Sequence, residues 1–157
     1  MVDPVLFRSV LGRFATSVTV LSARDANGTD HGMTVSAFTS VSLNPPLVLA
    51  CVDKTASIYN LLFKTDDIGI SVLAEHQEAC SRRFAEKDAD RFDELEIQRG
   101  ARGVALLKDA HAHLECRIVA RHDAGDHTIF VAAVDKAAAL DGHPLLYYRG
   151  GYAQLER

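Results

Sequence analysis

The stretch Gly32-Met33-Thr34-Val35-Ser36-Ala37-Phe38-Thr39-Ser40-Val41-Ser42-Leu43-Asn44-Pro45-Pro46-Leu47-Val48-Leu49-Ala50-Cys51-Val52 contains no charged residue. Met33, Val35, Ala37, Val41 and Leu43 are apolar, and Thr34, Ser36, Ser40 and Ser42 between them carry hydroxyls. That alternation is the period of an extended chain, so the spacing predicts one strand with an oily face and a face of small hydrogen-bonding groups. Asn44-Pro45-Pro46 ends it, because proline brings no N–H to a ladder. Leu47 to Val52 is a continuous apolar run, the pattern of a strand covered on both sides. A row of short hydroxyls beside free backbone N–H groups suits a flat, oily ligand with polar edges. A Ser/Thr strand facing water would give the same row, since Thr favours strands. A solvated face normally includes Lys or Glu, however, and none occurs here.

The rest of the chain is read outward from this stretch. Upstream, Asp3-Pro4 opens a helix, with Asp as N-cap and Pro in the first turn. Phe7, Val10, Leu11 and Phe14 then fall on one apolar face. Residues 17–23 form a strand, and Asn27-Gly28 turns the chain back antiparallel into the stretch above. Downstream, Ile58 to Phe63 is expected as a short helix capped by Thr55 or Ser57. Its N-terminus beside Lys54 would offer an anion site, although plain capping would explain the same serine. Residues 67–74 make another strand, with Ile68, Ile70 and Val72 on one side and Gly69 and Ser71 on the other. Residues 75–87 are helical; Arg82 and Arg83 are solvated charges there, or one of them reaches a phosphate. Residues 88–103, mixed in charge and poor in apolar residues, read as a mobile excursion able to cover a ligand.

Residues 111–121 alternate, with Ala112, Leu114, Cys116, Ile118 and Ala120 inward and His113, Glu115, Arg117 and Arg121 outward. Asp123-Ala124-Gly125-Asp126 turns them into a hairpin with residues 127–134. A short strand at 144–148 and a turn at Arg149-Gly150-Gly151 close the chain. No Gly-x-Gly-x-x-Gly follows a strand and no β-α-β alternation emerges, which argues against a dinucleotide-binding Rossmann domain. The expected fold class is mainly β with peripheral helices, a single domain over 1–157 built as a split or closed antiparallel barrel. Closure removes the edges that so many hairpins would expose.

Composition bounds the function. With 157 residues, 48% hydrophobic and 24% charged, the chain suits one soluble globular domain. A net charge of −4 with scattered basic residues gives no footprint for nucleic acid. The hydroxyls, Asn44 and the two prolines argue against a membrane span, and no export signal is expected at the N-terminus. Cys51, Cys80 and Cys116 are an odd number without a Cys-x-x-Cys, as expected of buried free thiols in a reducing cytoplasm. His111 and His113 lack partners at ligand spacing, so no metal is expected.

Three segments in order resemble the short-chain flavin reductases, the NAD(P)H-dependent proteins that feed reduced flavin to two-component monooxygenases. They are Phe14-Ala15-Thr16-Ser17-Val18-Thr19-Val20, the Gly32–Val48 stretch, and Gly125-Asp126-His127-Thr128-Ile129-Phe130, with Pro144–Tyr152 at the end. The resemblance implies a split barrel that binds FMN or FAD, takes hydride from NADH or NADPH, forms a homodimer and serves an oxygenase partner. It implies a flavin wall at Met33, Thr34, Val35, Ser36, Ala37, Ser40, Val41 and Ser42. Cys51, Val52, Asp53, Lys54 and Ser57 would follow the ribityl chain to the phosphate. Ala74, Gln77, Ser81 and Phe84 would form a second flavin segment. His127 matches the family's histidine near the nicotinamide, and Tyr152 would close that side; a hairpin histidine bonded to backbone and a packing aromatic are the plainer alternatives. Ser17 and Ala132 depart from glycines common in the family, which bears on which flavin is taken and how tightly. Rival functions on the same pocket are a non-catalytic flavin-binding module and a specialised reductase or oxidase.

Overall fold

The computed structural model describes residues 1–87 and 91–156. Helix α1 (Pro4–Leu11) is capped by Asp3, whose carboxylate accepts from the N–H groups of Val5 at 2.9 Å and Leu6 at 3.1 Å. No residue of α1 is buried. After the two-residue strand β1 (Thr16–Ser17), β2 (Thr19–Arg24) turns into β3 (Asp30–Val35). The turn forms because Asp25 accepts from the N–H groups of Asn27 and Thr29, and Gly28 takes the left-handed conformation at φ +81°.

The single strand expected over 33–43 is two. The chain turns at Ser36-Ala37, and β4 (Phe38–Leu43) runs back against β5 (Pro46–Asp53). The reason is pairing: β3 completes its ladder on β2, while β4 pairs with β5 at the opposite edge of the sheet. A bulge lies between Ser40 and Ser42, so Val41 has no ladder partner and the alternation loses phase there. Val35 consequently points into the core, whereas Val41 and Leu43 lie open, Leu43 at 91% exposure.

β5 is covered on one face. Val48, Ala50 and Val52 enter the core, while Leu47, Leu49 and Cys51 on the other side are half-buried. In place of the helix expected at 58–63 there is a single 3-10 turn, Leu61–Phe63. Ile58 and Leu62 sink into the core from this segment, and so few residues do not sustain a helix without longer packing. β6 (Asp67–Val72) follows, then α2 (Glu78–Ala85), shorter than the 75–87 expected. The Gln77 side chain takes the Ala74 N–H at 2.8 Å, holding the backbone before α2 out of the helix.

Part of the excursion expected at 88–103, residues 88–90, lies outside the described residues. The rest is ordered packing. β7 (Ile97–Arg99) and β8 (Ala105–Leu107) form a hairpin, and Phe92, Leu95 and Ile97 pack on a core cluster. This hairpin covers the outer face of β2 and β6, so Gly69 and Ser71 are buried along with Ile68 and Ile70. His113, expected outward, is buried for the same reason, with Nε2 2.5 Å from the Leu107 carbonyl. The long hairpin of β9 (Ala112–Ala124) and β10 (His127–Ala139) turns at Gly125, and β11 (Leu146–Tyr148) with β12 (Gly151–Ala153) ends the chain.

Among the described residues the architecture is mostly β with two helices. The main sheet has seven strands in the order β3-β2-β6-β9-β10-β5-β4, with neighbours antiparallel. One face of it holds a core cluster, including Leu21, Val35, Val52, Ile70 and Phe130. A second cluster, with Val18, Val20, Leu73, Phe84 and Leu145, lies on the other side of β2 under α2. No helix among the described residues is long and apolar enough to cross a membrane.

Candidate functional site

Alternate residues of a strand share a face, so Leu49, Cys51 and Asp53 leave β5 on the side away from the core. On β10 their register partners are Val131, Ile129 and His127. The face is apolar at one end and polar at the other. Over its apolar end lies a groove of about 680 Å³. Phe7, Leu11 and Phe14 from α1 and the turn after it form one wall; Ser36, Ala37, Phe38 and Thr39 form the facing one. Leu49 and Cys51 are the floor, and Tyr147 and Gly150 close an end.

The groove therefore gathers Ser36, Ala37 and Cys51 from the expected set and leaves others elsewhere. Met33 is half-buried against the core, and Val35 and Val52 are core residues. Ser40, Val41 and Ser42 sit on β4 at the edge of the sheet. Thr34 donates its hydroxyl to the Ser81 carbonyl at 2.6 Å, and the Ser81 hydroxyl lies 2.8 Å from the Tyr152 hydroxyl. These three side chains thus tie β3, α2 and β12 together. The Phe84 ring is buried edge-on to Phe92 and Ala74 is buried, so neither offers side-chain surface to a ligand. Of the two departures from the family pattern, Ala132 points into the core, and Ser17 pairs with Leu146 next to Thr16, which lines the groove.

At the polar end, Asp53 accepts from both the N–H and the hydroxyl of Thr55, each at 2.7 Å. Those bonds hold its carboxyl below the usual carboxylate range. Lys54 pairs with Asp123, whose hydrogen bond raises the ammonium's pKa. Ser57 faces a different cleft, of about 510 Å³, with Arg24, His31 and Lys64. His127 has Nδ1 2.6 Å from the Asp126 carboxylate, which orients its ring at the mouth of the strand pair. Arg82 is engaged by Glu78 at 2.8 Å and lies over the Tyr152 ring. Arg83 donates to the Asp93 carbonyl.

What the sequence reading missed is the wall supplied by α1 and, on the outward face of β5, Leu49. The signals were present. Phe7, Leu11 and Phe14 fall on one apolar helical face, and the run at 47–52 has the pattern of a strand covered on both sides, so neither pattern by itself distinguishes a groove lining from core. Chemically, the groove offers apolar surface and small hydroxyls, and among the described residues lining it there are no paired carboxylates and no nucleophile beside a base. A flat heteroaromatic ring fits it. The volume lies within the roughly 300–1,000 Å³ of ordinary small-molecule sites.

Residues 11–156 match the family described as flavin reductase like domain. An NADH-dependent flavin reductase of a Rhodococcus species is 45% identical, over 99% of this chain and 88% of that protein. The reductase subunit of a flavin-dependent monooxygenase from Rhodococcus jostii is 35% identical, over 99% of this chain and 80% of that one. Among solved structures, an NADH:FAD oxidoreductase of Streptomyces globisporus in complex with NAD and FAD fragments superposes with a TM-score of 0.93. It is 38% identical, over 99% of this chain and 96% of the other.

Proposed function

The chain belongs to the flavin reductase-like domain family, and from that membership we propose that it is an NADH-dependent flavin reductase whose product feeds an oxygenase partner. The observation that carries the reading is the groove, whose described lining is largely apolar and holds no carboxylate and no histidine. When bound, FMN or FAD would supply the acceptor for a hydride from reduced nicotinamide. Such a transfer asks the protein for position rather than for an acid, a base or a nucleophile.

The chain's own residues are read accordingly. Phe7, Leu11 and Phe14 hold the ring from one side, Ala37 and Phe38 from the other, and Ser36 and Thr39 bond its polar edge. Cys51 is a packed floor residue whose thiol burial raises its pKa, so it stays neutral and takes no covalent part. His127, steered by Asp126, orients the nicotinamide at the polar end of the same face. Thr34, Ser81 and Tyr152 act at one remove, fixing β3 and α2 relative to the groove.

The larger arrangement is read in the same way. β3 and β4, the two edges of the main sheet, follow one another in the chain through Ser36-Ala37, which supports a sheet curled into a split barrel. Exposed Leu6 and Val10 of α1, with Val41 and Leu43 of β4, are the surface of a homodimer. The three free thiols suit a reducing cytoplasm.

The test is the decay of nicotinamide absorbance with NADH, with and without FMN or FAD. Added flavin is expected to accelerate it strongly. Flavin bound without NADH turnover would make the protein a storage or sensing module, and no response to either flavin would remove the flavin reading.

A further inference from the structure

The residues on either side of His127 are both bonded to one segment, the stretch that leaves the end of β5. The Asp126 carbonyl accepts from the Lys54 N–H at 3.0 Å. The Thr128 hydroxyl lies 2.7 Å from the Tyr59 hydroxyl. Neighbouring residues of a strand point to opposite faces, so Thr128 turns inward beneath His127, on the side of Phe130, and is 3% exposed. A hydroxyl so buried needs a partner, and among the described residues Tyr59 supplies it. The Tyr59 ring is itself held, edge-on to Phe63 at 5.1 Å and to Phe130 at 6.3 Å. Farther along the segment, Arg121 of β9 bonds the Leu62 carbonyl at 2.8 Å and the Asp66 carboxylate at 2.7 Å.

Ring packing and the Arg121 contacts anchor this segment without the Tyr59 hydroxyl. A Phe and a Val would fill the same space, and replacing both partners of a buried hydrogen bond by apolar groups of like shape is nearly neutral. Stability alone therefore does not call for the two hydroxyls. What they add is a directional link from a packed ring to the backbone that carries the histidine. Tyr59 does not line the groove, so it acts at one remove. We infer that Tyr59 is a positioning residue for the nicotinamide: through Thr128 it fixes the start of β10, and with it the placement of the His127 ring. Transfer between two held rings is sensitive to such placement. The inference rests on the flavin reductase reading and on His127 as the nicotinamide contact.

Tyr59→Phe removes one oxygen and keeps the ring contacts; Thr128→Val removes the other hydroxyl and carries the test should the first variant fail to fold. Steady-state rates with NADH and flavin, and flavin affinity from fluorescence quenching, are measured for these two, for Thr128→Ser, and for His127→Ala with and without Tyr59→Phe. Tyr59→Phe and Thr128→Val should each lower kcat/KM for NADH about fivefold, the scale of one hydrogen bond, with flavin affinity unchanged. Thr128→Ser, which keeps the hydroxyl, should stay near the wild type. In the His127→Ala background Tyr59→Phe should change nothing further, because its effect passes through that ring. The inference is overturned by wild-type NADH kinetics in either Tyr59→Phe or Thr128→Val, whatever their thermal midpoints, since the bond would then be structural only. It is overturned equally by a parallel fall in flavin affinity, by a Thr128→Ser variant as slow as Thr128→Val, or by an undiminished loss in the His127→Ala background. A wild type that oxidises no NADH with either flavin defeats the functional reading itself, an outcome distinct from all of these.

Discussion

At His127 the sequence pointed to a polar contact and the structure shows how it is aimed. The ring stands opposite Asp53 across the β5–β10 pair and is fixed by Asp126 at 2.6 Å. Removing it with His127→Ala should raise the nicotinamide KM or lower turnover by about tenfold, the cost of one polar contact, with flavin affinity nearly unchanged; a fall in flavin affinity instead would place the histidine on the other ligand. Gly32 is a different kind of residue. A Cβ there would stand 2.8 Å from the Phe84 ring and 3.0 Å from Phe92, two aromatic rings packed against each other with little room to give. Gly32→Ala should therefore cost about 1–3 kcal/mol, the range for overpacking, seen as a lower denaturation midpoint at unchanged slope. The cysteines need no role. Burial pushes the Cys80 thiol up to about 11 and the Cys116 thiol up to about 12, so both are neutral at neutral pH and the thiolate needed for attack is scarce. Alkylation followed by mass spectrometry should be slower at both than at an unfolded cysteine and should quicken as pH rises; rapid modification of Cys116 at neutral pH would contradict its placement.

The β7–β8 hairpin shows what the sequence hid at the level of elements. It is held by contacts made by residues distant in the chain. Ser22 donates to the Ala105 carbonyl at 2.5 Å, the Leu107 N–H donates to Ser71, and Arg99 grips Asp30 through two bonds of 2.5 and 2.6 Å. Asp30 is nearly covered whereas Arg99 is 40% exposed, so the pair is discounted for solvent. Arg99→Ala should cost about 1 kcal/mol and raise amide exchange first in residues 97–107; uniform exchange across the sheet would show that the hairpin is no separate unit. The local signals along this segment, mixed charges and two glycines, describe a loop, because what orders it is the face of β2 and β6 beneath. Elements whose patterns are local were legible: the Asp3-capped helix, the Asn27-Gly28 turn and the β9–β10 hairpin all form. The Gly32–Leu43 alternation was legible as strand but not as two strands, since the turn at Ser36-Ala37 carries neither Gly nor Pro. Candidate site residues followed the same rule. Ser36, Ala37 and Cys51 line the groove, while Ser57 and Phe84 are drawn away by the missing helix and by the second core.

For the whole molecule, the decisive feature is apolar surface that this chain alone does not cover. Helix α1 buries none of its residues, and Leu6 and Val10 turn outward while Phe7, Leu11 and Phe14 face the groove. At the sheet edge, Val41 stands 48% and Leu43 91% exposed. An edge strand with open apolar residues invites pairing unless another surface covers it. Two copies joined through such a surface would withdraw it from water and hold α1, the wall of the groove with no buried residue of its own. Dimerisation and flavin binding should then be coupled. Leu43→Glu and Val10→Glu each place a charge where a partner would sit, far from the buried core, so the fold should persist with an unchanged circular dichroism spectrum. Sedimentation should show the wild type as a dimer and both variants shifted toward monomer. FMN affinity should fall with that shift and recover as protein concentration is raised, because mass action restores the interface. A wild type that sediments as a monomer would break the coupling outright, and variants that remain dimeric would mean that the contact lies on another face.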